Sequence, residues 1–194
     1  MKIGIDLDDV TANFIDVFMK MSYEKFGRPA LGTKPIDWEW SNAELSREEI
    51  GSLWVDVSNS LNFWENLPRD PGASVIGMHK LKHIADLFFI TARAETKGES
   101  TQFQSARWLD YNFALTYPTV IVDKNKGPIA AALGLNYFVD DRPKNCLEIK
   151  EAVPECEVFL KRACHNLDYA APEWMKVVDS FDEFAEILYR RHVK

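Results

Sequence analysis

Two clusters of acidic residues are the strongest candidates for chemistry, and each directly follows a short apolar segment. The first cluster is Asp6, Asp8 and Asp9, and the second is Asp140 and Asp141. A single Asp after a strand usually caps a helix or opens a turn. Two packed clusters are harder to explain in this way, because neighbouring carboxylates repel one another unless a cation lies between them. Hard oxygen ligands suit Mg²⁺, so the pattern favours a magnesium site.

A hydroxyl group and several cationic side chains follow two further apolar segments. Thr91, Ala92 and Arg93 come after one of them, and Lys124 and Lys126 lie just beyond the other. Side chains of this kind can hold a phosphate group. We prefer Lys126 to Lys124, because the Gly-Pro pair after it predicts the start of a helix, where backbone N–H groups already bind anions.

The elements that must position these residues are short apolar runs separated by longer segments. Runs of this length that are nearly all apolar are typical of strands covered on both faces in a parallel sheet. The fold class is therefore α/β, with a Rossmann-like parallel sheet flanked by helices. Ligands bind outside the carboxyl ends of such strands, so we expect the acidic clusters, the hydroxyl and the lysines to meet there. The predicted strands are residues 3–5, 87–90, 119–122, 137–139 and 158–160, the predicted crossover helices are 73–85, 100–113 and 128–133, and a capping box at Ser180 and Glu183 predicts a last helix.

The stretch between the first two strands is too long for a simple crossover. It begins with apolar residues at helical spacing and ends at Pro71-Gly72, so we interpret residues 14–75 as a helical cap inserted after the first strand. Residues 1–13 and 76–194 then form the α/β core. Aromatic residues are frequent in this cap. We expect Trp38, Trp40 and Trp54 to form its core, as aromatic residues in small helical units usually do.

The composition excludes several classes of protein. Of the 194 residues, 23 are Lys or Arg and 30 are Asp or Glu, which gives a net charge of −7. A non-specific nucleic-acid binder needs the opposite balance, so we expect no nucleic-acid polymer as a partner. No apolar run approaches the ~18 residues of a membrane span, and the N-terminus does not fit a signal peptide, so no membrane partner is expected. Three cysteines without C-x-x-C spacing suit a reducing compartment and predict a cytoplasmic protein.

Four segments, in order along the chain, resemble the motifs of the haloacid dehalogenase-like phosphohydrolases. The first is Asp6-Leu7-Asp8-Asp9-Val10 after an apolar strand, and the second is Thr91 at the end of the next strand. Lys126 or Lys124 matches the third motif, and residues 138–141 match the fourth. A closer resemblance, to the 5'(3')-deoxyribonucleotidases of the cytosolic type C nucleotidase family, is carried by residues 8–14, 62–65, 71–73, 140–143 and 163–166. The sequence departs from that family at Ala92, where the family often has a second hydroxyl, and Arg93 is the candidate replacement.

The resemblance implies a reaction and a role for each residue. Asp6 would attack phosphorus to form an aspartyl-phosphate, and Asp8 would act as general acid and then as general base. The resemblance implies Mg²⁺ as cofactor, held by Asp6, by the backbone carbonyl of Asp8 and by Asp140 or Asp141. Thr91 and Lys126, with Ala92 and Arg93, would hold the phosphate. An aromatic cluster of Phe14, Phe63 and Trp64 would sandwich a base.

The implied substrate is a small-molecule phosphomonoester, most simply a nucleoside 5'-monophosphate and in particular a deoxy one. Three alternatives stay open at this point. The chain could hydrolyse another small phosphoester such as a sugar phosphate, serve as a phosphoacceptor signalling domain, or bind nucleotides without catalysis. The preferred base and sugar, the choice between 5' and 3' esters and the oligomeric state, for which a homodimer is one option, are not fixed by the sequence.

Overall fold

Six strands form one parallel sheet in the computed structural model, which describes residues 1–30 and 43–193. The order across the sheet is β3-β2-β1-β4-β5-β6, and every neighbouring pair is parallel. The α/β, Rossmann-like fold predicted from the sequence is confirmed. The strands are β1 (Lys2–Ile5), β2 (Asp86–Thr91), β3 (Thr119–Val122), β4 (Tyr137–Asp140), β5 (Glu157–Lys161) and β6 (Lys176–Val178).

Seven α-helices and a short 3₁₀ helix lie in the described residues. Helix α1 ends at Gly27, whose φ of 69° is left-handed and favours glycine. Helix α7 begins at Ser180, whose hydroxyl accepts a hydrogen bond from the backbone N–H of Glu183 at 3.1 Å, as the capping pattern predicts. The helices are α1 (Phe14–Phe26), α2 (Arg47–Asn59), the 3₁₀ helix (Phe63–Asn66), α3 (Val75–Ile84), α4 (Thr101–Phe113), α5 (Lys126–Leu133), α6 (Pro143–Ala152) and α7 (Phe181–His192).

Strand β1 lies at the centre of the sheet and fixes the position of the first acidic cluster. Ile3 and Ile5 are fully buried, as expected of a strand covered on both faces. Gly4 is required between them, because a Cβ there would lie only 2.5 Å from side-chain atoms of Leu135 and Phe138. The chain runs from β1 to β2 and β3 on one side and adds β4 on the other. The carboxyl ends of β1 and β4 therefore flank the point where the strand order reverses, where ligands bind in open α/β sheets.

The segment between β1 and α3 leaves and re-enters the sheet region at one place. The backbone N–H of Asn13 donates to the carbonyl of Pro68 at 2.9 Å, and that of Asp70 donates to the carbonyl of Thr11 at 2.8 Å. Between these two connections lie α1, α2 and the 3₁₀ helix. The division into a core and a helical cap at residues 14–75 stays a prediction, and Trp38 and Trp40 lie outside the described residues.

No helix within residues 1–30 and 43–193 combines the length and the apolar character needed to cross a membrane.

Candidate active site

Lys126 connects the two acidic clusters at the carboxyl ends of β1 and β4. Its ammonium group donates to Oδ1 of Asp6 and, at 2.6 Å, to Oδ2 of Asp140. All three side chains are buried, with 2%, 8% and 0% of their surface exposed for Lys126, Asp6 and Asp140. Lys126 is the first residue of α5, as the Gly-Pro pair after it suggested. Lys124 is exposed, so Lys126 is the lysine that the fold brings to the carboxylates.

The Asp140 carboxylate is held by further donors. The side-chain amide of Asn145 lies 3.0 Å from both of its oxygens, and the backbone N–H of Arg142 donates to Oδ1 at 2.8 Å. The next residue, Asp141, faces a different partner. Its Oδ2 lies 2.8 Å from Nε2 of His165, and its backbone carbonyl accepts a hydrogen bond from the Asn166 amide at 2.6 Å.

The carboxylates of Asp6, Asp140 and Asp141 fit a divalent cation. One oxygen from each lies within 4.8 Å of the others, and all three residues are buried. Three carboxylates against the one ammonium group of Lys126 leave two excess negative charges, which one divalent cation balances. Burial raises the pKa of Asp6 and of Asp141 well above 3.8, and the neighbouring Asp140 carboxylate raises both further, while Lys126 opposes the rise. The donor set is all oxygen, which suits Mg²⁺.

Asp9 has a different role from Asp6 and Asp8. Its φ of 56° is left-handed, and its Oδ1 accepts hydrogen bonds from the backbone N–H groups of Phe14 at 3.1 Å and Ile15 at 2.9 Å. It therefore caps the start of α1, as a lone Asp after a strand often does. Burial and the nearby charge of Asp141 raise the pKa of Asp9 to about 8.

The side chain of Asp8 pairs with Arg93 rather than with the lysine. Nη2 of Arg93 lies 2.8 Å from Oδ1 of Asp8, and Nε lies 3.0 Å from Oδ1 and 3.1 Å from Oδ2. The hydroxyl of Thr91 is 3.5 Å from Oδ2 of the same carboxylate. Asp8 is thus brought to the same site as Asp6, but its side chain does not join the group of possible metal ligands.

A cleft of about 270 Å³ opens over these residues and has an aromatic wall. Phe14 and Trp64, which were predicted to contact substrate, line it. Phe63 does not belong to the lining and instead packs edge-on against Trp64, with ring centroids 5.0 Å apart. Trp54, expected in the core of the cap, lines the cleft and stacks on Phe14 at 5.5 Å. The full lining is Asp6, Asp8, Phe14, Trp54, Trp64, Ala92, Arg93, Ala94, Lys126, Asp141, Arg142 and Asn145.

Besides Trp54 and Ala94, four residues near the site were not named as site residues from the sequence. Arg142 and Asn145 follow Asp140 closely, and Asn145 is the third residue of α6. His165 and Asn166 lie after β5, within the segment 163–166 that carries part of the family resemblance. That resemblance was the one available signal for His165 and Asn166, because no spacing rule connects them to Asp141.

The sequence profile of one family matches residues 1–183 of the chain. This family is described as 5' nucleotidase, deoxy (pyrimidine), cytosolic type C protein. A curated relative from Oceanobacillus iheyensis, named provisionally as a nucleotidase, is 27% identical over 156 residues, which are 74% of this chain and 78% of the relative.

Solved structures with the same fold are haloacid dehalogenase-like enzymes. A provisionally named haloacid dehalogenase-like hydrolase from Burkholderia xenovorans matches with a TM-score of 0.61 and 11% identity, over 96% of this chain and 95% of that one. The L-2-haloacid dehalogenase of Xanthobacter autotrophicus matches with a TM-score of 0.56 and 12% identity, over 100% and 99% of the two chains. At this level of identity the structural matches establish the fold, and the family profile carries the functional information.

Proposed function

Because the chain belongs to the cytosolic type C family of 5'-nucleotidases and is a phosphomonoester hydrolase, we propose that it hydrolyses nucleoside 5'-monophosphates, deoxy forms included, through an aspartyl-phosphate on Asp6. The observation that carries this proposal is the placement of Asp6, Asp8 and Lys126 around one cleft. Membership of a hydrolase family argues against the phosphoacceptor and non-catalytic alternatives.

In this proposal Mg²⁺ is held by the carboxylates of Asp6 and of Asp141 or Asp140, with the backbone carbonyl of Asp8. When bound, the ion offsets the charge that the phosphate brings and draws electron density from the phosphoryl oxygens. The excess of two negative charges among the buried carboxylates supports this assignment. Asp140 has Lys126, Asn145 and the Arg142 backbone as partners already, which favours Asp141 as the direct ligand.

Asp6 is the proposed nucleophile. Lys126 holds its Oδ1 and thereby restricts the direction of the carboxylate before substrate binds. In the first step a carboxylate oxygen of Asp6 forms a bond to phosphorus, the bond from phosphorus to the ester oxygen breaks, and the leaving oxygen takes a proton from Asp8. In the second step water attacks phosphorus, Asp8 takes a proton from that water, and the bond to Asp6 breaks. Asp6 and Asp8 are then ready for another turnover.

The transferred phosphoryl group needs donors in addition to a cation. Thr91 is the last residue of β2 and Lys126 is the first residue of α5, and their hydroxyl and ammonium groups are the proposed side-chain donors. Ala92 has no side-chain donor, so its contribution is its backbone N–H at the lining of the cleft. Groups fixed in this way stabilise the charge that builds up during phosphoryl transfer.

The aromatic wall supports a nucleoside rather than a sugar phosphate. Phe14, Trp54 and Trp64 line the cleft, and Trp54 is the one of the three that is partly exposed. Its indole offers a flat apolar surface on which a base can stack, and such stacking is worth about 1–3 kcal/mol per base. Phe63 would act through Trp64, on which it packs, and not by contact with substrate. A sugar phosphate would leave the aromatic rings without a flat partner.

The test is phosphate release from purified protein with a panel of ribo- and deoxynucleoside 5'-monophosphates, their 3' esters and common sugar phosphates. We expect turnover of 5'-nucleotides with Mg²⁺, and loss of turnover when EDTA is added. The variant Asp6→Asn keeps the shape of the side chain and should be inactive. Sugar phosphates that turn over as well as nucleotides would remove the nucleotide assignment, and an active Asp6→Asn variant would remove the nucleophile.

A cytoplasmic location is the remaining part of the proposal, and a homodimer is one option for the oligomeric state. The free thiols of Cys146 and Cys156, both buried, are consistent with a reducing compartment. The oligomeric state follows from light scattering coupled to size-exclusion chromatography.

A further inference from the structure

Arg93 was expected to bind the substrate phosphate, but its side chain is buried and its guanidinium is paired with protein groups. Its side chain has 0% of its surface exposed, although the residue borders the cleft. Nε and Nη2 donate to the carboxylate of Asp8, and Nη1 donates to the hydroxyl of Ser105 at 3.0 Å. A side chain that binds phosphate must present N–H groups to the cleft, whereas the Arg93 side chain presents its N–H groups to other protein groups.

Two tryptophans hold the guanidinium in place. Its central carbon lies 5.0 Å from the ring centroid of Trp64 and 5.7 Å from that of Trp108, within the range of cation–π attraction. Each indole is itself fixed, because its N–H donates at 2.7 Å to a backbone carbonyl, that of Ala94 for Trp64 and that of Leu67 for Trp108. Arg93 is thus a rigid support that contacts Asp8 from the protein side.

We propose that Arg93 is a positioning residue for Asp8, which fixes the direction of that carboxyl group for proton transfer, and that it does not bind the phosphate. This inference rests on the proposed function, in which Asp8 is the general acid and base. It gives Arg93 a role that neither the family resemblance nor the sequence pattern assigns.

The distances indicate how the support works. Oδ1 of Asp8 accepts the shorter contacts, at 2.8 and 3.0 Å, whereas the contacts to Oδ2 are 3.1 Å from Arg93 and 3.5 Å from Thr91. Oδ1 is therefore the fixed acceptor, and Oδ2 is the oxygen left to carry the proton. When the leaving oxygen takes this proton, the bond from the ester oxygen to phosphorus breaks and Asp8 becomes a carboxylate. The guanidinium stabilises the negative charge that this transfer leaves on Asp8.

The test compares two substrates that differ in their need for a general acid. A nucleoside 5'-monophosphate has a poor leaving group that must be protonated, whereas 4-nitrophenyl phosphate has a good one that departs without a proton. The quantity measured is kcat/KM, which reports the steps up to the aspartyl-phosphate. For Arg93→Met we expect kcat/KM to fall about 100-fold or more for the nucleotide, the range typical of a lost general acid, and far less for the aryl ester.

Two further measurements separate positioning from phosphate binding. Inhibition by inorganic phosphate should have the same constant in Arg93→Met as in the natural protein, since the phosphate contacts are unchanged. In a double-mutant cycle on the nucleotide, adding Arg93→Met to Asp8→Asn should cause little further loss, because Arg93 acts through Asp8. Arg107→Met is the matched control. Arg107 lies on α4, pairs with Glu65 at 3.1 Å and does not line the cleft, so both substrates should keep their full rates.

Equal losses for both substrates, weaker inhibition by phosphate, or fully additive losses in the cycle would each overturn the positioning role. Arg93→Lys covers the case in which Arg93→Met does not fold, as judged by circular dichroism. It keeps the charge but cannot bridge Asp8 and Ser105 in the same way, and it should show the same preference for the aryl ester. An inactive natural protein would instead contradict the proposed function itself, a result distinct from any of these.

Discussion

Replacing Lys126 with Met should destabilise the protein strongly and in a way that depends on pH. The substitution keeps most of the volume of the side chain but removes the buried ammonium group that contacts both Asp6 and Asp140. Removing one partner of a buried ion pair typically costs about 3–5 kcal/mol, because the other charge stays buried without compensation. Both carboxylates are at most 8% exposed, so water cannot replace the lost ammonium group.

The pH dependence follows from proton uptake by the carboxylates. Burial already raises the pKa of Asp6, and Lys126 opposes that rise, so its removal raises the pKa of Asp6 further. The pKa of Asp6 is then higher in the folded variant than in the folded natural protein. At pH values between these two pKa values, Asp6 keeps its proton in the variant and has lost it in the natural protein. The deficit in the free energy of unfolding should therefore grow with rising pH, by up to about 1.4 kcal/mol per pH unit. The variant should come closest to the natural protein in mild acid.

The assay is urea unfolding followed by tryptophan fluorescence in EDTA, at several pH values from about 6 to about 8. Lys176→Met is the control, since Lys176 pairs with Glu157 at the surface with 45% of its side chain exposed. It should cost less than about 1 kcal/mol and show no comparable trend with pH. A Lys126→Met variant as stable as the control at every pH would show that the ammonium group of Lys126 does not compensate the buried carboxylates.

Three further outcomes are expected. Asp141→Asn should weaken Mg²⁺ binding about tenfold or more, as measured by calorimetry. An ionised ligand at contact distance contributes more than the 1.4 kcal/mol that a tenfold change in affinity represents. Unchanged affinity would leave Asp140 as the ligand. Trp54→Leu should raise KM for a nucleotide about 5- to 150-fold, the equivalent of 1–3 kcal/mol of stacking, and leave KM for a small alkyl phosphate unchanged. Gly4→Ala should lower the free energy of unfolding by about 1–3 kcal/mol, because its Cβ would meet Leu135 and Phe138, while KM stays unchanged if only packing is affected.

The parts of the fold that the sequence predicts are those with a strong local signal. The five predicted strands are nearly all apolar, and all five are present within one or two residues of the expected bounds. Strand β6 was not predicted, because it has three residues and Val178 is the one that is buried. Helix α6 was also not named, since its buried face consists of Asn145, Cys146 and Ile149, which gives a weak apolar pattern.

In the candidate site as well, the sequence predicts some features and not others. The sequence predicts that four residues meet at one edge of the sheet, because each comes after a parallel strand and the topology brings the ends of these strands together. These residues are Asp6, Thr91, Lys126 and Asp140. The pairing of Asp8 with Arg93 did not follow, because a sequence pattern places a residue at an edge without giving the direction of its side chain. The directions depend on tertiary packing, here on the two indoles beside the guanidinium. The same limit applies to Phe63, whose ring packs against Trp64 instead of lining the cleft.

In the proposed mechanism Asp6 carries the phosphoryl group during turnover, and rapid acid quenching can trap this intermediate. A nucleotide labelled with ³²P in its phosphate is mixed with the protein and Mg²⁺, quenched within one turnover, and the peptides are mapped by mass spectrometry. We expect label on the peptide that contains Asp6, released by hydroxylamine as is typical of an acyl phosphate and missing from Asp6→Asn. Hydrolysis at full rate with no label on that peptide at any quench time, or with label on another residue, would contradict the proposed mechanism.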